Sequence, residues 1–280
     1  MRHPKFLVFT AAIATATAGA AASLAAQTAD TVYKAARSAD GSVAVADTQS
    51  IDPDAMAALR RMGEYLRTLN AFSVHAVVNT EDVREDGMKV QMTSEANMLA
   101  QRPGKLRLEV KNDKQPRTWY YDGKTFTLWA PRPKFYAQAD APPTINELAK
   151  KLDEKFGIDM PFVDLFRWGT PESDEKEITN AYDVGPNAIN GVTCEHYLFR
   201  QAGLDWQIWI QDGQYPLPLK LVLTTTTDDA RPQHESVYTW NLAPSFNDKA
   251  FAFTPPADAK RITFVEVKEA RDNAKKQGEK

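Results

Sequence analysis

The side chains of this sequence that could do metal or acid–base chemistry are few and scattered. Beyond the first 25 residues the histidines are His75, His196 and His234, and none lies in an H-E-x-x-H motif or at another close metal-ligand spacing. Glu195 and His196 are neighbours in a predicted strand, so they point to opposite faces and cannot form a dyad. The sequence has no G-x-S-x-G motif, phosphate-binding loop or dinucleotide fingerprint. We predict no catalytic residue, no metal and no cofactor.

Cys194 is the only cysteine, so an intrachain disulfide is impossible. We interpret it as a small buried apolar side chain, because a reactive thiolate would need a neighbouring base and a lowered pKa. A hydrolase is the least favoured alternative. It would have to assemble serine, histidine and an acid from distant positions in the chain.

The sequence is much richer in apolar side chains that alternate along strands or recur along helices. In any β protein such faces form the core, and that interpretation stays open. A half-open sheet covered by helices could also leave an apolar cavity between them. The residues predicted to line this cavity and its lid are Val90, Met92, Leu108, Leu152, Phe156, Phe162, Phe166, Trp168, Trp206, Ile208, Leu219 and Leu221.

Period-two alternation positions most of these residues on strands. It begins at Phe72, and Asp86-Gly87 and Asp122-Gly123 mark turns between successive strands. Further strands follow at short spacing from Ala181 onward. Strands joined by tight turns predict an antiparallel meander of about ten or eleven strands. The fold class is therefore mainly β (α+β), an incompletely closed antiparallel barrel.

Two helices complete this architecture. Asp52-Pro53 is a typical helix start, and apolar residues then recur every three or four positions, which predicts a helix over 53–69. Thr144 and Glu147 form a capping box that opens a second helix, and Gly157 ends it. Together with the aromatic segment MPFVDLFRWG that follows, this part of the chain predicts a helical lid insert at 144–168.

The stretch WQIWIQDGQYPLPLKLVLTTTT predicts a hairpin with two prolines in its second strand. A four-residue loop, 211–214, pairs Ile210 with Tyr215 and Trp206 with Leu219. In that register Pro216 and Pro218 turn their missing N–H groups away from the partner strand. We therefore expect an open or frayed sheet at that point, with Trp209 exposed on the other face.

The N-terminus predicts export. A short basic segment, an apolar run and the small residues before position 25 are typical of a cleavable signal peptide, with no cysteine near the cleavage site. We predict a signal peptide at 1–25, a flexible leader at 26–51, one domain at 52–267 and a charged tail at 268–280. Loss of Arg2 and Lys5 takes the formal net charge from −3 to −5, which argues against nucleic acid as a partner. No later segment is apolar enough to span a membrane.

The order of leading helix, meander, helical insert and returning strands resembles the bacterial lipoprotein-carrier (LolA/LolB-like) superfamily. It is most similar to an uncharacterised predicted-periplasmic family within it. Local similarities are WYYDGKTFTLWAP at 119–131, WQIWIQDGQYPLPLKL at 206–221 and FAFTPPADAK at 251–260. The resemblance implies a half-barrel with helices over an apolar cavity that holds acyl chains. The lipobox cysteine of receptor members is missing, and no position matches a gating arginine by motif.

These observations predict a periplasmic, monomeric and non-enzymatic binding protein. Its partner would be a lipid or a lipidated protein, and its apolar ligand an acyl chain, lipid or lipidated peptide between the sheet and the lid. The alternative is an envelope protein-interaction or stress-sensing module with a collapsed cavity. In that case Trp209 and the strand edge at Pro216 would contact another envelope protein.

Overall fold

The alternating segments form a single twelve-stranded sheet in the computed structural model, which describes residues 50–112 and 115–267. The predicted signal peptide, most of the predicted leader and the predicted tail lie outside the described residues. The strands are β1 Ala71–Val83, β2 Lys89–Gln101, β3 Lys105–Lys111, β4 Arg117–Tyr121, β5 Thr125–Ala130, β6 Phe135–Asp140, β7 Asn180–Ile189, β8 Val192–Gln201, β9 Leu204–Gln211, β10 Pro218–Thr225, β11 Gln233–Asn241 and β12 Lys260–Ile262.

The sheet is not closed into a barrel. Its order is β12-β6-β5-β4-β3-β2-β1-β11-β10-β9-β8-β7, so β12 is the edge strand at one end and β7 is the edge strand at the other. The prediction of an incompletely closed, mainly β half-barrel with few helices is confirmed. Two details differ from the predicted sheet. It has twelve strands, and β12 runs parallel to β6. Strand β12 does not follow β6 through a hairpin but arrives late in the chain, so the antiparallel rule for hairpins does not apply to it.

One face of the sheet carries the core, and we call it the inner face. In β1 it is formed by the buried residues Phe72, Val74, Ala76 and Val78. The register extends this face across neighbouring strands, since Val74 lies opposite Met98 of β2 and Trp240 of β11. Away from the irregularities in β7 and β10, alternation therefore assigns each strand residue to a face, as the sequence predicts.

Helix α1, Pro53–Thr68, matches the predicted helix to within one residue. The Asp52 side chain caps it by accepting a hydrogen bond of 2.8 Å from the backbone N–H of Asp54. Its buried side includes Gly63, where an added Cβ would lie 2.6 Å from the backbone nitrogen of Gly169. A side chain at this position would push α1 away from the segment that follows the insert.

The insert (residues 144–168) begins with α2, Ile145–Lys151, continues as a π-helical turn, Leu152–Phe156, and ends with the short α3, Asp164–Arg167. The predicted capping box is present, because the backbone N–H of Glu147 donates to Thr144 Oγ1 at 3.2 Å and that hydroxyl donates to Glu147 Oε2 at 2.8 Å. The chain then turns at Gly157, with φ of 64°, in the left-handed region that favours glycine.

The predicted register of the β9–β10 hairpin is wrong. Ile210 lies opposite Pro218 instead of Tyr215, and Trp206 lies opposite Leu223 instead of Leu219. Most of the shift comes from the connection, which is longer than four residues, since β9 ends at Gln211 and β10 begins at Pro218. A bulge between Pro218 and Lys220 adds one more residue on β10.

The expected interruption of the sheet at these prolines is present in another form. Strand β10 pairs with β11 only from Lys220 onward, although it lies inside the sheet and not at its edge. The Trp240 indole N–H donates to the Pro218 carbonyl at 2.8 Å and spans this unpaired stretch. The missing N–H of Pro218 therefore weakens a seam between two interior strands.

The C-terminal segment wraps around the β6 edge of the sheet. Phe253 packs on the outer face, with ring centroids 5.2–5.6 Å from those of Tyr120, Trp129 and Tyr136. After β12 the chain reaches the inner face, where Phe264 lies against Phe126 at 5.8 Å. Two short 3₁₀ turns, Asp174–Glu177 and Asp248–Phe251, complete the helical elements.

Candidate functional site

The insert and α1 fill part of the inner face and form the main core with it. Seven of the twelve predicted site residues are buried in this core: Leu108, Leu152, Phe166, Trp168, Trp206, Ile208 and Leu221. Phe156 and Phe162 pack against the core and are partly exposed. The sheet and insert residues of the prediction are thus brought together, but most of them are too deeply buried to meet a ligand directly.

Leu219 lies elsewhere, in a second small cluster with Cys194, Trp209 and Val222 on the outer face. The β10 bulge moves Leu219 to the face opposite Leu221, which corrects its predicted position on the cavity side. Trp209, predicted to be exposed, is only 8% exposed. Its ring stacks on His196 at 4.0 Å, and the Lys220 ammonium lies 5.1 Å from its centroid.

The other two predicted residues, Val90 and Met92, lie on β2 beyond the main core. Val90 is 43% exposed, and Met92 is partly exposed opposite Thr80 of β1. Both share the inner face with the buried Ala96 and Met98. The inner face thus keeps apolar side chains past the point at which the helices cover it.

At the level of Met92, one row of inner-face residues crosses five strands. Thr80 lies opposite Met92 on one side and His234 on the other, and His234 lies opposite Leu223, which in turn faces Trp206. Met92, Thr80, His234 and Leu223 all keep partial exposure. We call the surface formed by these four residues, together with Phe162 of the insert, the recess.

The insert borders the recess through Phe162. This residue has φ of 59°, which is unusual for a bulky side chain, and its ring meets that of Tyr238 edge-on at 6.1 Å. Phe162 and Val163 are partly exposed and Asp164 is exposed, whereas Leu165 and Phe166 are buried in the core. The insert therefore turns from core to recess within a few residues.

A chain of polar side chains runs along the floor of the recess. Thr80 Oγ1 is 3.0 Å from His234 Nδ1, and Ser236 Oγ is 3.3 Å from His234 Nε2. A hydrogen bond to Ser236 favours the ionised form of Tyr238, but burial outweighs it and raises the pKa of the phenol far above its usual value. Burial also lowers the pKa of His234, so the neutral imidazole is favoured.

The carboxylate of Asp164, on the insert, acts on Tyr238 through its charge. The charge of this carboxylate is close enough to contribute to the raised pKa of Tyr238. The pKa of Asp164 is itself raised by burial, although solvent reaches the side chain. The two observations are compatible, because a side chain can contact water while the protein atoms around it limit its solvation.

The Ser236–His234 contact is poorly placed for nucleophilic catalysis. His234 Nδ1 bonds to the Thr80 hydroxyl, where a triad would place a carboxylate. Ser236 is 1% exposed, and it lies in a strand that pairs with β1 on one side and β10 on the other. Backbone N–H groups committed to these ladders cannot form an oxyanion hole beside it. The arrangement suits the binding of a polar group better than acyl transfer.

A separate small cavity of about 110 Å³ lies between α1 and the end of the β9–β10 hairpin. Ala58, Arg61, Glu195 and Tyr197 are among its lining residues. Burial and the nearby Asp183 and Asp212 raise the pKa of Glu195. Sites for small molecules usually measure about 300–1,000 Å³, so this cavity is too small for an acyl chain.

The residues of the polar chain are not among those predicted from the sequence, although a signal for them exists. His234, Ser236 and Tyr238 occupy alternate positions of one strand, and period-two alternation puts all three on the same face. Polar residues at three successive core-facing positions depart from the apolar pattern of the other strands. That departure could have identified the site.

Among the residues that the structure describes, no group of three or more His, Cys, Asp or Glu side chains is placed to hold a metal ion. Within the same residues, no helix has the length and apolar character needed to cross a bilayer.

A family model with the description "Predicted periplasmic protein (DUF2092)" matches residues 55–265. No curated protein sequence matches the chain. Similar solved structures include the Mycobacterium tuberculosis lipoprotein LppX, with 13% identity, a TM-score of 0.43 and coverage of 70% of this chain and 100% of that one. LprF from Mycobacterium bovis has 15% identity, a TM-score of 0.42 and coverage of 75% and 100%.

A LolA superfamily protein from Nitrosomonas europaea is also similar, with 10% identity, a TM-score of 0.35 and coverage of 71% of this chain and 97% of that one. At these TM-scores the likenesses give no information on what this chain binds. The family model covers most of the domain and confirms the resemblance to a predicted-periplasmic family.

Proposed function

This chain belongs to the DUF2092 family of predicted periplasmic proteins, and from that premise we propose that it binds an apolar ligand in the recess. The ligand would be an acyl chain, a lipid or a lipidated peptide, held between the inner face and the insert. Family membership agrees with the periplasmic localisation predicted from the N-terminus.

The observation that carries this proposal is the partly exposed apolar surface on the inner face of the sheet. Met92, Leu223 and Phe162 lie at the same end of the inner face, beyond the buried core. Val90 extends this surface toward the tip of the β1–β2 hairpin. Apolar groups left in contact with water gain about 25 cal/mol per Å² when a ligand covers them, before the costs of association.

Variants that test this proposal must alter the recess without disrupting the core. Phe166 is 1% exposed and Trp206 is 7% exposed, so a charge at either would unfold the protein instead of emptying the site. Leu223 is partly exposed at the recess, and we expect it to tolerate glutamine. The matched control is Val77, which is 37% exposed and lies on the outer face of β1.

The experiment is native mass spectrometry of the exported protein, followed by titration with a fluorescent apolar probe, N-phenyl-1-naphthylamine. We expect the wild-type protein to carry lipid and to bind the probe. Leu223→Gln should weaken probe binding roughly tenfold or more, because a buried leucine contributes about 1.5–3 kcal/mol, whereas Val77→Gln should leave it unchanged. Wild-type protein that carries no lipid and binds no probe would refute the proposal.

The alternative of an envelope-interaction module loses the residue on which it depended. Trp209 was predicted to be an exposed contact, but it is buried between His196 and Lys220. The strand at Pro216 leads into an interior strand of the sheet and not into an edge. Neither Trp209 nor the strand at Pro216 therefore favours that function over ligand binding.

A further inference from the structure

The small cavity of about 110 Å³ lies at the Ile210 end of β9, between the inner face and helix α1. We call it the α1 cavity, and we infer that it binds a small free amino acid in its zwitterionic form. Arg61 holds the carboxylate of this ligand, and Glu195 and Asp212 hold its ammonium group. The inference is independent of the apolar ligand proposed for the recess.

Inner-face residues of β8 and β9 form the floor of the α1 cavity. Glu195 lies opposite Ile210, and Tyr197 lies opposite Ile208, so Glu195 and Tyr197 point to the same side as the buried core. An acidic side chain at such a position departs from the apolar pattern of the face. It costs stability unless a cation or several hydrogen bonds compensate its charge.

Tyr197 presents an unpaired polar group at this cavity. Its side chain is only 6% exposed and lines the cavity, and its hydroxyl has no hydrogen-bond partner within residues 50–112 and 115–267. Native proteins rarely leave a buried hydroxyl unpaired. Burial, with the charges of Asp183 and Glu195, raises the pKa of this phenol to about 12. It therefore stays neutral, and it can donate to a carboxylate or accept from an ammonium group.

Opposite charges line the α1 cavity without pairing. Arg61 of α1 and Asp212 of the loop after β9 both line it, and within the described part of the chain neither side chain has an ion pair. Glu195 has acidic neighbours instead of a cation, and burial together with Asp183 and Asp212 raises its pKa. A ligand with a carboxylate and an ammonium group would satisfy both walls by charge-assisted hydrogen bonds.

The dimensions of the α1 cavity limit the ligand. An engineered cavity of about 150 Å³ binds benzene, so a volume of about 110 Å³ suits a slightly smaller molecule such as glycine. Arg61, Asp212 and Gly213 are exposed, so the cavity opens to solvent on their side. The loop is held on the helix, because Tyr215 packs against Tyr65 of α1 with ring centroids 5.9 Å apart.

The test is an NMR titration of the isotope-labelled full protein with glycine, methylammonium chloride and sodium acetate. Glycine carries both charges, and each of the other two probes carries one. We expect glycine to shift the amide resonances of Ile210 and Gly213 and to bind about tenfold tighter than either single-charge probe, since it engages both walls. Absence of saturable glycine binding would overturn the inference, and so would a single-charge probe that binds as tightly as glycine.

Variants assign the ligand to this cavity. Arg61→Gln and Glu195→Gln should each weaken glycine binding about tenfold or more, and Tyr197→Phe should weaken it severalfold. Arg61 is exposed, so its substitution leaves the core intact, and its exposed neighbour Arg60 is not among the lining residues and provides the matched control Arg60→Gln. Undiminished glycine binding by Arg61→Gln or Glu195→Gln would overturn the inference. Leu223→Gln should bind glycine like wild-type protein, which separates this site from the recess.

Discussion

Phe264 of the C-terminal segment packs against Phe156 of the insert, with ring centroids 5.0 Å apart. The contact joins parts of the chain more than a hundred residues apart. Next to it, Lys155 Nζ and Glu266 Oε1 form an ion pair at 2.9 Å. Phe264 also lies on Phe126 of the inner face, so one side chain ties the insert to the sheet.

Phe264→Ala should loosen the insert. Removing a buried aromatic side chain typically costs about 3–5 kcal/mol, and the partial exposure of Phe264 puts the expected loss of unfolding free energy at roughly 1–3 kcal/mol. The amide hydrogens of α2 and of the π-helical turn should exchange faster, since their packing partner is gone. Urea denaturation and hydrogen exchange measure the two effects.

Phe253→Ala is the control, because it removes an aromatic ring of the same segment from the outer face. It should lower stability without a selective rise in exchange of the insert. Equal exchange of the insert in both variants would show that Phe264 does not anchor it.

The capping box gives a second prediction. Thr144→Ala removes the hydroxyl that accepts from the backbone N–H of Glu147 and donates to its carboxylate. The expected loss is about 1 kcal/mol of unfolding free energy, typical for an N-cap threonine. Thr144→Ser keeps the hydroxyl and should retain most of the stability in urea denaturation. A serine variant as unstable as the alanine variant would contradict a capping role.

Core and recess should respond differently to truncation. Phe166→Ala should cost about 3–5 kcal/mol, because the ring is buried against Phe72 at 5.9 Å and its loss leaves a cavity in the core. Phe162→Ala should cost less, because its ring is partly exposed. Urea denaturation of the ligand-free protein compares them. Similar losses would show that Phe162 belongs to the core.

Local rules predicted the elements of this fold well. Asp52, Thr144 and Gly157 each mark a helix boundary by their own hydrogen-bonding or conformational chemistry, and the structure has all three. Alternation likewise placed Ile208 and Leu221 on the inner face. Each of these signals depends on neighbours in the sequence and needs no knowledge of the tertiary fold.

Register and depth were not predictable in the same way. The bulge beside Pro218 changes which residues face each other, and nothing near it in the sequence fixes where the extra residue goes. Alternation also cannot separate core from recess, because Phe166 and Phe162 are both aromatic residues of the insert. What separates them is the long-range packing around each ring.

Asp205 should make stability depend on acid pH. Its carboxylate accepts hydrogen bonds from Arg200, at 2.6 Å, and from Arg231, at 2.8 Å, and these hold its pKa below the usual value. A lowered pKa in the folded state gives stability that is present above the unfolded pKa of about 3.9 and is lost as the pH falls through the folded value.

Asp205→Asn should therefore be less stable than wild-type protein at pH 7, and the difference should shrink below about pH 4. Urea midpoints at the two pH values measure this difference in stability. Asp229 is exposed, so Asp229→Asn is the control and should leave stability almost unchanged at both pH values. A difference that stays constant with pH would mean that the loss comes from packing and not from the charge.

Asp164 should show the opposite dependence. Burial raises the pKa of its carboxyl, Arg167 opposes this rise, and Asp174 adds to it. A carboxyl whose folded pKa exceeds its unfolded value of about 3.9 lowers stability above the folded value, and the penalty disappears as the pH falls to the unfolded value. Asp164→Asn should thus be more stable than wild-type protein at pH 7 and close to it below about pH 4. Thermal denaturation across this range measures the difference, and Asp153→Asn should show no such trend. An Asp164→Asn variant that is less stable at pH 7 would show that the carboxylate stabilises the fold.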